Sequence, residues 1–263
     1  MDLTDLARRL SNPHYPRSAG YGPEWVVETR MGPNVLWLTE WLSEVAPWSP
    51  GMRVLDLGCG TATSSIFLAR EFGLTVWAAD LWVSASDNWQ RIQAQDLGDR
   101  VFPLSAEAQD LPFAHGYFDA VVSIDAYHYF GTDDGYLGYL AQFLRPGGTV
   151  GIVVPSVRQE LHDRPAGGLE PYWHDDMYTF HTPEWWRRHL GRASNVRAAD
   201  WLDGGWREWL LWCEVCGEYF RGAGLAQGDD ECAEMLRRDA GRALGFARIV
   251  CEPSVVVASA EVH

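Results

Sequence analysis

The stretch VLDLGCGTATSSIFLA, residues 54–69, is the part of the sequence that decides the fold. An apolar run containing Asp56 leads into Gly58-Cys59-Gly60, and a pattern typical of a helix follows at once. Glycines between a buried strand and a helix let the backbone approach a ligand closely. The turn therefore predicts a ligand site at the end of the first strand.

Three features argue against a dinucleotide as that ligand. The pyrophosphate fingerprint G-x-G-x-x-G needs a glycine where this chain has Thr63. Asp56 lies two residues before Gly58, and a carboxylate there disfavours a pyrophosphate but favours an ammonium group. A second strand ends at Asp80, at the distance downstream that suits a hydrogen bond to a ribose diol. Together they predict a nucleoside with a cationic amine and no phosphate, and S-adenosylmethionine is such a molecule.

Short apolar runs alternate with amphipathic stretches beyond this turn. Helices are predicted around 63–71, 85–97 and 134–144. The glycine pair of LRPGG (144–148) is predicted to end the last of them, and LRPGG to start the fifth strand. Near-continuous apolar strands between helices indicate a parallel sheet covered on both faces. The predicted strands are MRVLDL (52–57), LTVWAAD (74–80), RVFPLS (100–105), FDAVVSID (118–125), GTVGIVVP (148–155) and a last strand in the tail FARIVCEPSVVVASAEV (246–262).

Two segments do not fit the alternation and are predicted to close the site. Residues 1–50 contain the loop NPHYPRSAGYGPEW, and residues 156–193 contain YWHDDMYTFHTPEWWRRHL. Ligands of open α/β sheets bind beyond the carboxyl ends of the strands, where inserted segments form lids. We therefore expect a single domain over 1–263, divided into a helical arm or cap (1–50), a cofactor-binding core (51–155), a lid (156–193) and the C-terminal part of the sheet (194–263).

The composition excludes several classes of function. The 263 residues carry a formal charge of −15 and contain no lysine, so no basic stripe predicts a nucleic-acid partner. No stretch has the length of a signal peptide or a membrane span. Five cysteines are an odd number, and Cys213 and Cys216 form a C-x-x-C inside an apolar helix with no second pair for zinc. We expect a cytoplasmic protein with no metal, no membrane partner and no disulfide framework.

The motifs, taken in order, resemble those of the class I S-adenosylmethionine-dependent methyltransferases, in the small-molecule branch of ubiquinone and sterol methyltransferase-like proteins. They are VLDLGCGTA, VWAADLW, LSAEAQDLPF, FDAVVSIDAYHYF and LRPGGTVGIV, and they cover residues 52–155. The resemblance implies an α/β, Rossmann-like sheet of seven strands. It is mostly parallel with an antiparallel last strand, and helices cover both faces. The implied cofactor is S-adenosyl-L-methionine, and the implied activity is methyl transfer to a small molecule.

The resemblance also implies roles for individual residues near the cofactor. It puts Ser105 where many relatives have an aspartate, so this contact to the adenine amino group passes to Glu107 or to the backbone. Each glycine taken singly is also explained by a tight turn, and Asp80 by a helix N-cap. The implied contacts are Asp56, Gly58 and Gly60 to the methionine part, Asp80 to the ribose, Leu81, Ala106 and Glu107 to the adenine, and Ser123 and Asp125 to the cofactor and acceptor.

The acceptor side of the site is predicted from histidines and aromatic residues. His128 follows the fourth strand, where relatives bind the acceptor, and is the first candidate for a general base; packing in an aromatic cluster explains it equally well. His181 and His14 are further candidates. Aromatic rings of both flanking segments predict a pocket for a flat or a cationic acceptor, unless they belong to the core. The residues expected to bind the acceptor are Tyr15, Tyr21, Tyr127, His181 and Trp185.

Other functions and assembly states remain open at this point. A protein that binds S-adenosylmethionine for regulation or scaffolding, without catalysis, would keep Asp56 and Asp80 but lack an acceptor cavity. A nicotinamide-dependent oxidoreductase is disfavoured by Thr63 and Asp56. The acceptor atom, which is nitrogen, oxygen or sulfur, is not specified by the sequence, and both a monomer and a homodimer are compatible with it.

Overall fold

Seven strands form one sheet in the computed structural model, which describes residues 1–161, 165, 167–222, 224 and 229–254. The glycine turn of 58–60 directly follows the first strand, and each of the five strands predicted before residue 156 is present. The strands are β1 (Arg53–Leu57), β2 (Thr75–Asp80), β3 (Val101–Ser105), β4 (Phe118–Ile124), β5 (Leu144–Val157), β6 (Ser194–Trp201) and β7 (Leu244–Pro253).

The strands lie in the order β3-β2-β1-β4-β5-β7-β6. Strands β1 to β5 pair in parallel, with Leu55 of β1 opposite Trp77 of β2 and Val121 of β4. Strand β7 is antiparallel to both β5 and β6. The predicted mostly parallel seven-stranded sheet with an antiparallel last strand is therefore confirmed. Because the order reverses between β1 and β4, a crevice opens at the carboxyl ends of these strands.

Helices pack on both faces of the sheet. One face carries the N-terminal helices together with the helices after β1 and β2, and the other carries the helices that follow β4 and precede β6. The helices are α1 (Leu3–Leu10), α2 (Pro23–Glu28), α3 (Val35–Ser43), α4 (Thr63–Phe72), α5 (Ala85–Gln93), α6 (Tyr136–Ala141), α7 (Pro183–Gly191), α8 (Gly205–Gly222) and α9 (Asp229–Asp239).

The strand residues alternate between two apolar cores, as pleating requires. Val54 and Val122 face the core formed with α3 and α4, whereas Leu55 and Val121 face the core formed with α6 and α7. All four side chains are buried. Burial on both faces explains why these strands read as continuous apolar runs rather than as alternating ones.

Three boundaries differ from the sequence-based prediction. Helix α6 ends at Ala141, before LRPGG, so the glycine pair does not end it. LRPGG does start β5, as predicted, and Leu144 pairs with Phe118 before a register shift. Strand β6 was not predicted individually. Its side chains are half-buried or exposed, so its sequence lacks the continuous apolar run of an inner strand. The predicted tail strand is present as far as Pro253, and the rest of that prediction lies outside the described residues.

Among the helices that the structure describes, none is both long enough and apolar enough to cross a lipid bilayer.

Candidate functional site

A cavity of about 420 Å³ opens at the carboxyl ends of β1, β2 and β4. Four stretches line most of it, and each follows a strand or precedes a helix. Its volume is within the range of small-molecule binding sites. The stretches are the turn after β1 (57–61), the end of β2 (79–82), the end of β4 (124–126) and the loop between α2 and α3, which contributes Thr29, Met31 and Gly32.

The glycine turn lies on the floor of the cavity. Gly58 has φ +73° and Gly60 has φ +54°, and the amide of Gly58 donates to the carbonyl of Ala79 at 2.8 Å. A Cβ added at Gly58 would overlap the Cβ of Ala126, whereas one added at Gly60 would lie 3.0 Å from Sδ of Met31. Glycine is therefore required at position 58, because a side chain there would collide with the loop after β4. Gly60 leaves its backbone uncovered on the floor of the cavity.

Asp80 is fixed at the end of β2 by three backbone amides. Its Oδ2 accepts from the amide of Gly60, and its Oδ1 accepts from the amides of Trp82 and Val83, all at 2.8 Å. The side chain is 8% exposed and lines the cavity. An ionised carboxylate has about four acceptor positions, so capacity for one ligand hydroxyl remains. Asp80 thus orders the two turns and still offers an acceptor to a ligand.

Asp56 does not line the cavity. Its Oδ2 accepts from the hydroxyls of Ser64 and Ser65, both at 2.6 Å, in the first turn of α4. Its Oδ1 is buried, with no hydrogen-bond partner in the described part of the chain. Burial raises the pKa of this carboxyl to about 6, against the lowering effect of the two serines. In this structure Asp56 therefore stabilises the first turn of α4 and is not part of the cavity wall.

Only some of the residues predicted to contact the adenine line the cavity. Leu81 and Ala106 line the cavity, but Glu107 is exposed and does not, whereas Ala108 and Gln109 do. Ser123 is buried in β4, and its hydroxyl donates to the carbonyl of Leu57 at 2.7 Å. Gln109 was missed because the stretch SAEAQD offers several polar residues and nothing in it shows which of them faces inward.

Asp125 lies in the wall of the cavity directly after β4. Its backbone has φ +57°, and its amide donates to the carbonyl of Val153 at 2.7 Å. In the described part of the chain, no group donates a hydrogen bond to its carboxylate. Burial, with a further contribution from the charge of Asp176, raises the pKa of this carboxyl well above its usual range.

His128 lies behind the cavity wall rather than in it. The side chain is 1% exposed, and its ring packs against Tyr129 at 4.0 Å and Phe180 at 5.5 Å between centroids. Its Nδ1 is buried with no hydrogen-bond partner among the described residues. Burial lowers the pKa of the imidazole to about 4. A group with so low a pKa provides little driving force for proton abstraction near neutral pH.

The aromatic residues that were expected to bind the acceptor lie apart from the cavity. Tyr15 donates to Glu208 at 2.9 Å, and Tyr21 to Glu71 at 3.2 Å, and both rings are buried. Tyr127 packs on the opposite face of the sheet, against Trp186 of α7.

The two predicted histidines outside the β4 loop are also remote from the cavity lining. His181 stacks on Trp185 at 3.7 Å between centroids and pairs with Glu160 at 2.7 Å. His14 is a largely exposed side chain 3.9 Å from Glu208.

The N-terminal segment reaches the cavity through the short loop between α2 and α3 and through Val35, the first residue of α3. We call residues 29–34 the cap loop. The hydroxyl of Thr61 donates to the carbonyl of Thr29, and the indole of Trp212 donates to the carbonyl of Gly32 at 2.7 Å. The cap loop is thus tied to the glycine turn on one side and to α8 on the other. No pattern in the sequence distinguishes the cap loop, since its apolar and glycine residues resemble those of any connection.

The residues that the structure describes contain no cluster of three potential metal ligands. Cys213 of the C-x-x-C contacts Cys232 of α9, with 2.7 Å between the two sulfurs.

Known proteins share this arrangement of strands and turns. A sequence profile for the family described as "Methyltransferase domain" matches residues 54–148. The chain is 35% identical over 136 residues to the methyltransferase GfsG of Streptomyces halstedii, covering 51% of this chain and 49% of that one. It is 31% identical over 181 residues to a demethylmenaquinone methyltransferase of Beutenbergia cavernae, covering 68% of each. The chain belongs to the class I S-adenosylmethionine-dependent methyltransferases.

Solved structures of this methyltransferase fold extend the comparison. The [4+2]-cyclase SpnF superposes with a TM-score of 0.68 at 17% identity, covering 86% of this chain and 84% of that one. At this identity the likeness shows the fold alone. Others with the fold contain S-adenosylmethionine or S-adenosylhomocysteine. The chain spans 49% and 35% of the first two curated relatives that it matches.

The cavity fits the methyltransferase cofactor, S-adenosylmethionine. Its floor is bare glycine backbone, its β2 side offers the Asp80 carboxylate to hydroxyls, and its β3 side offers Ala106, Ala108 and Gln109. Among the described residues that line it there is no arginine, the side chain that binds phosphate groups most strongly.

Proposed function

We propose that the protein transfers a methyl group from S-adenosylmethionine to a small-molecule acceptor at the cavity above the glycine turn. The acceptor atom is a nitrogen, oxygen or sulfur nucleophile, and the acceptor is aromatic or cationic. The observation that supports this most is the pairing of a bare glycine floor with the acceptor capacity of Asp80 in one cavity of about 420 Å³.

The residues of the chain are proposed to act by positioning the cofactor and the acceptor. When bound, the cofactor would provide a methyl group attached to a sulfonium. The acceptor forms a bond to the methyl carbon, and the electron pair of the broken carbon–sulfur bond stays on sulfur. In-line displacement depends mainly on alignment of the reacting atoms. Asp80 is proposed to hold the ribose, the turn at Gly58 and Gly60 the methionine part, and Leu81, Ala106 and Gln109 the adenine. The cap loop excludes water from the same space.

The choice of general base differs from the one that the sequence suggested. His128 was the first candidate, and its low pKa and distance from the cavity lining weaken that role. Asp125 lines the cavity and has a raised pKa, so it is the better-placed proton acceptor.

Binding of S-adenosylmethionine without methyl transfer is the alternative function. The fold does not distinguish it, since the same architecture belongs to a protein described as a cyclase.

The test combines a binding measurement with a transfer measurement. Calorimetry with S-adenosylhomocysteine should show binding, and incubation with S-adenosylmethionine carrying a labelled methyl should transfer the label to members of a panel of amines, phenols and thiols. Tight binding with no transfer to any member of the panel would favour the non-catalytic alternative. Binding of NADH without binding of S-adenosylhomocysteine would refute the proposal.

A further inference from the structure

The carboxylate of Asp125 is directed at the space under the cap loop. Asp125 lines the cavity, and a Cβ added at Gly32 would overlap its Oδ2. The cap loop therefore passes directly over this oxygen. A carboxylate in such a partly closed space normally accepts several hydrogen bonds, and leaving it without donors is costly. In the described part of the chain it accepts none and forms no ion pair.

Aromatic rings flank the same space. Tyr129 and Phe130 line the cavity next to Asp125, and Trp82 lines it from the end of β2. The rings of Trp82 and Tyr129 lie 5.7 Å apart between centroids, yet they are 72% and 46% exposed. Exposed rings of this size at a cavity mouth are unusual for packing residues and typical of binding surfaces.

A second carboxylate, that of Asp176, lies close enough to act on Asp125 and Tyr129, although it does not itself line the cavity. Asp176 belongs to the 3₁₀ turn Asp175–Thr179, which packs on the turn Tyr127–Tyr129. Its charge acts on both Asp125 and Tyr129, whose pKa values it helps to raise, that of Tyr129 to about 12. No ion pair in the described part of the chain includes Asp176. Two carboxylates and two exposed rings form the pattern that attracts an organic cation.

We infer that the acceptor is an amine that enters as its ammonium ion, bound by the carboxylates of Asp125 and Asp176 and against the rings of Trp82 and Tyr129. This inference rests on the proposed methyl transfer and narrows its acceptor to nitrogen. An ammonium nitrogen has no lone pair, so it must release one proton before it reacts. Asp125 takes that proton and later releases it to solvent through the mouth of the cavity.

Binding of matched probes to the protein saturated with S-adenosylhomocysteine tests the inference, since no turnover occurs with this product. Benzylamine carries an ammonium on an aromatic ring, benzyl alcohol has nearly the same shape without charge, and benzoate carries the opposite charge. Dissociation constants are measured by ligand-observed NMR titration. The variants are Asp125→Asn and Asp176→Asn, and Asp175→Asn is the control, because it removes the same charge from the same 3₁₀ turn.

We expect the wild type to bind benzylamine at least roughly tenfold more tightly than benzyl alcohol, the scale of one charge-assisted hydrogen bond. Asp125→Asn should abolish this preference, Asp176→Asn should reduce it several-fold, and Asp175→Asn should leave it unchanged. S-adenosylhomocysteine should bind Asp176→Asn and Asp175→Asn with wild-type affinity, and Asp125→Asn should lose less affinity for it than for benzylamine.

Three results would overturn the inference while leaving methyl transfer in place. They are equal binding of benzyl alcohol, a preference that survives Asp125→Asn, and a loss of S-adenosylhomocysteine affinity in Asp125→Asn as large as the loss for benzylamine. The last would assign Asp125 to the amino group of the cofactor. Absence of S-adenosylhomocysteine binding by the wild type would instead refute the proposed function, and the inference with it.

Discussion

At the scale of single residues, Asp80 has two functions that a substitution must separate. Its carboxylate accepts hydrogen bonds from three backbone amides and so shapes the loops after β1 and β2. It can accept one further hydrogen bond from a ligand in the cavity. A helix N-cap alone would explain neither the bond from Gly60 nor the position in the lining. The residue therefore preorganises the floor that it also helps to form.

Asp80→Ala should weaken binding of S-adenosylhomocysteine by about 1.5–3 kcal/mol, the cost of losing hydrogen bonds to a charged group. Calorimetry at a temperature where both proteins are folded measures this. Asp99→Ala is the control, since Asp99 is exposed and does not line the cavity. If the two variants bound the ligand equally well, the assignment of Asp80 to the ribose would have to be abandoned.

Asp56 should make stability depend on pH in a predictable direction. Its pKa rises from 3.8 to about 6 on folding, so the folded state binds the proton more tightly than the unfolded state. This contribution to stability is fully present below pH 3.8 and is lost as the pH rises through about 6. Asp56→Asn cannot ionise, so its free energy of unfolding relative to wild type should increase by up to about 3 kcal/mol between pH 4 and pH 7.

Denaturant unfolding of both proteins across this pH range measures the difference. Asp99→Asn serves as the control for the change in formal charge. A difference between wild type and Asp56→Asn that does not vary with pH would show that Asp56 ionises normally in the folded protein.

At the scale of elements, the glycine turn can be tested by comparing two glycines with similar backbones. Gly58 and Gly116 have φ of +73° and +66°, but a Cβ would meet Ala126 at the first and nothing within 4 Å at the second. Gly116→Ala should therefore cost only the left-handed strain, roughly 1–2 kcal/mol of stability. Gly58→Ala should cost more and should also weaken binding of S-adenosylhomocysteine, because the turn must move.

The double variant Gly58→Ala with Ala126→Gly removes the overlapping methyl and should recover most of the lost affinity. Thermal unfolding and calorimetry on the four proteins provide the comparison. Unimpaired binding by Gly58→Ala alone would show that the close contact between the two loops is not required.

The elements also show how far the sequence could predict this protein. Strands β1 to β5 were identified because burial on both faces leaves continuous apolar runs, and the turn because a strand, two glycines and a helix follow one another. β6 escaped because its residues are half exposed. Which rings line the cavity could not be predicted, because rings such as Tyr15 and Tyr21 look alike in sequence whether they face a ligand or a core. Contacts between distant segments, such as Trp212 with Gly32, leave no local pattern.

At the scale of the whole molecule, closure over the ligand was predicted for the arm (1–50) and the lid (156–193). Tyr15 and Tyr21 are already packed and hydrogen-bonded, whereas Thr29, Met31 and Gly32 line the cavity. Hydrogen exchange should therefore slow on addition of S-adenosylhomocysteine mainly in the cap loop and around Trp82, with little change in residues 12–28. Equal protection throughout 12–34 would indicate that the whole arm moves, and no change in the cap loop would exclude it as a lid.

A crystal structure of the protein with S-adenosylhomocysteine would test the proposed cofactor site. We expect the ligand in the cavity above β1 and β2, with a ribose hydroxyl within about 2.6–3.2 Å of the Asp80 carboxylate. The amino-acid end should lie over Gly58–Gly60 and the adenine beside Leu81 and Gln109, with the sulfur facing Asp125. A ligand bound elsewhere on the protein, or a cavity that stays empty at saturating concentration, would contradict the account.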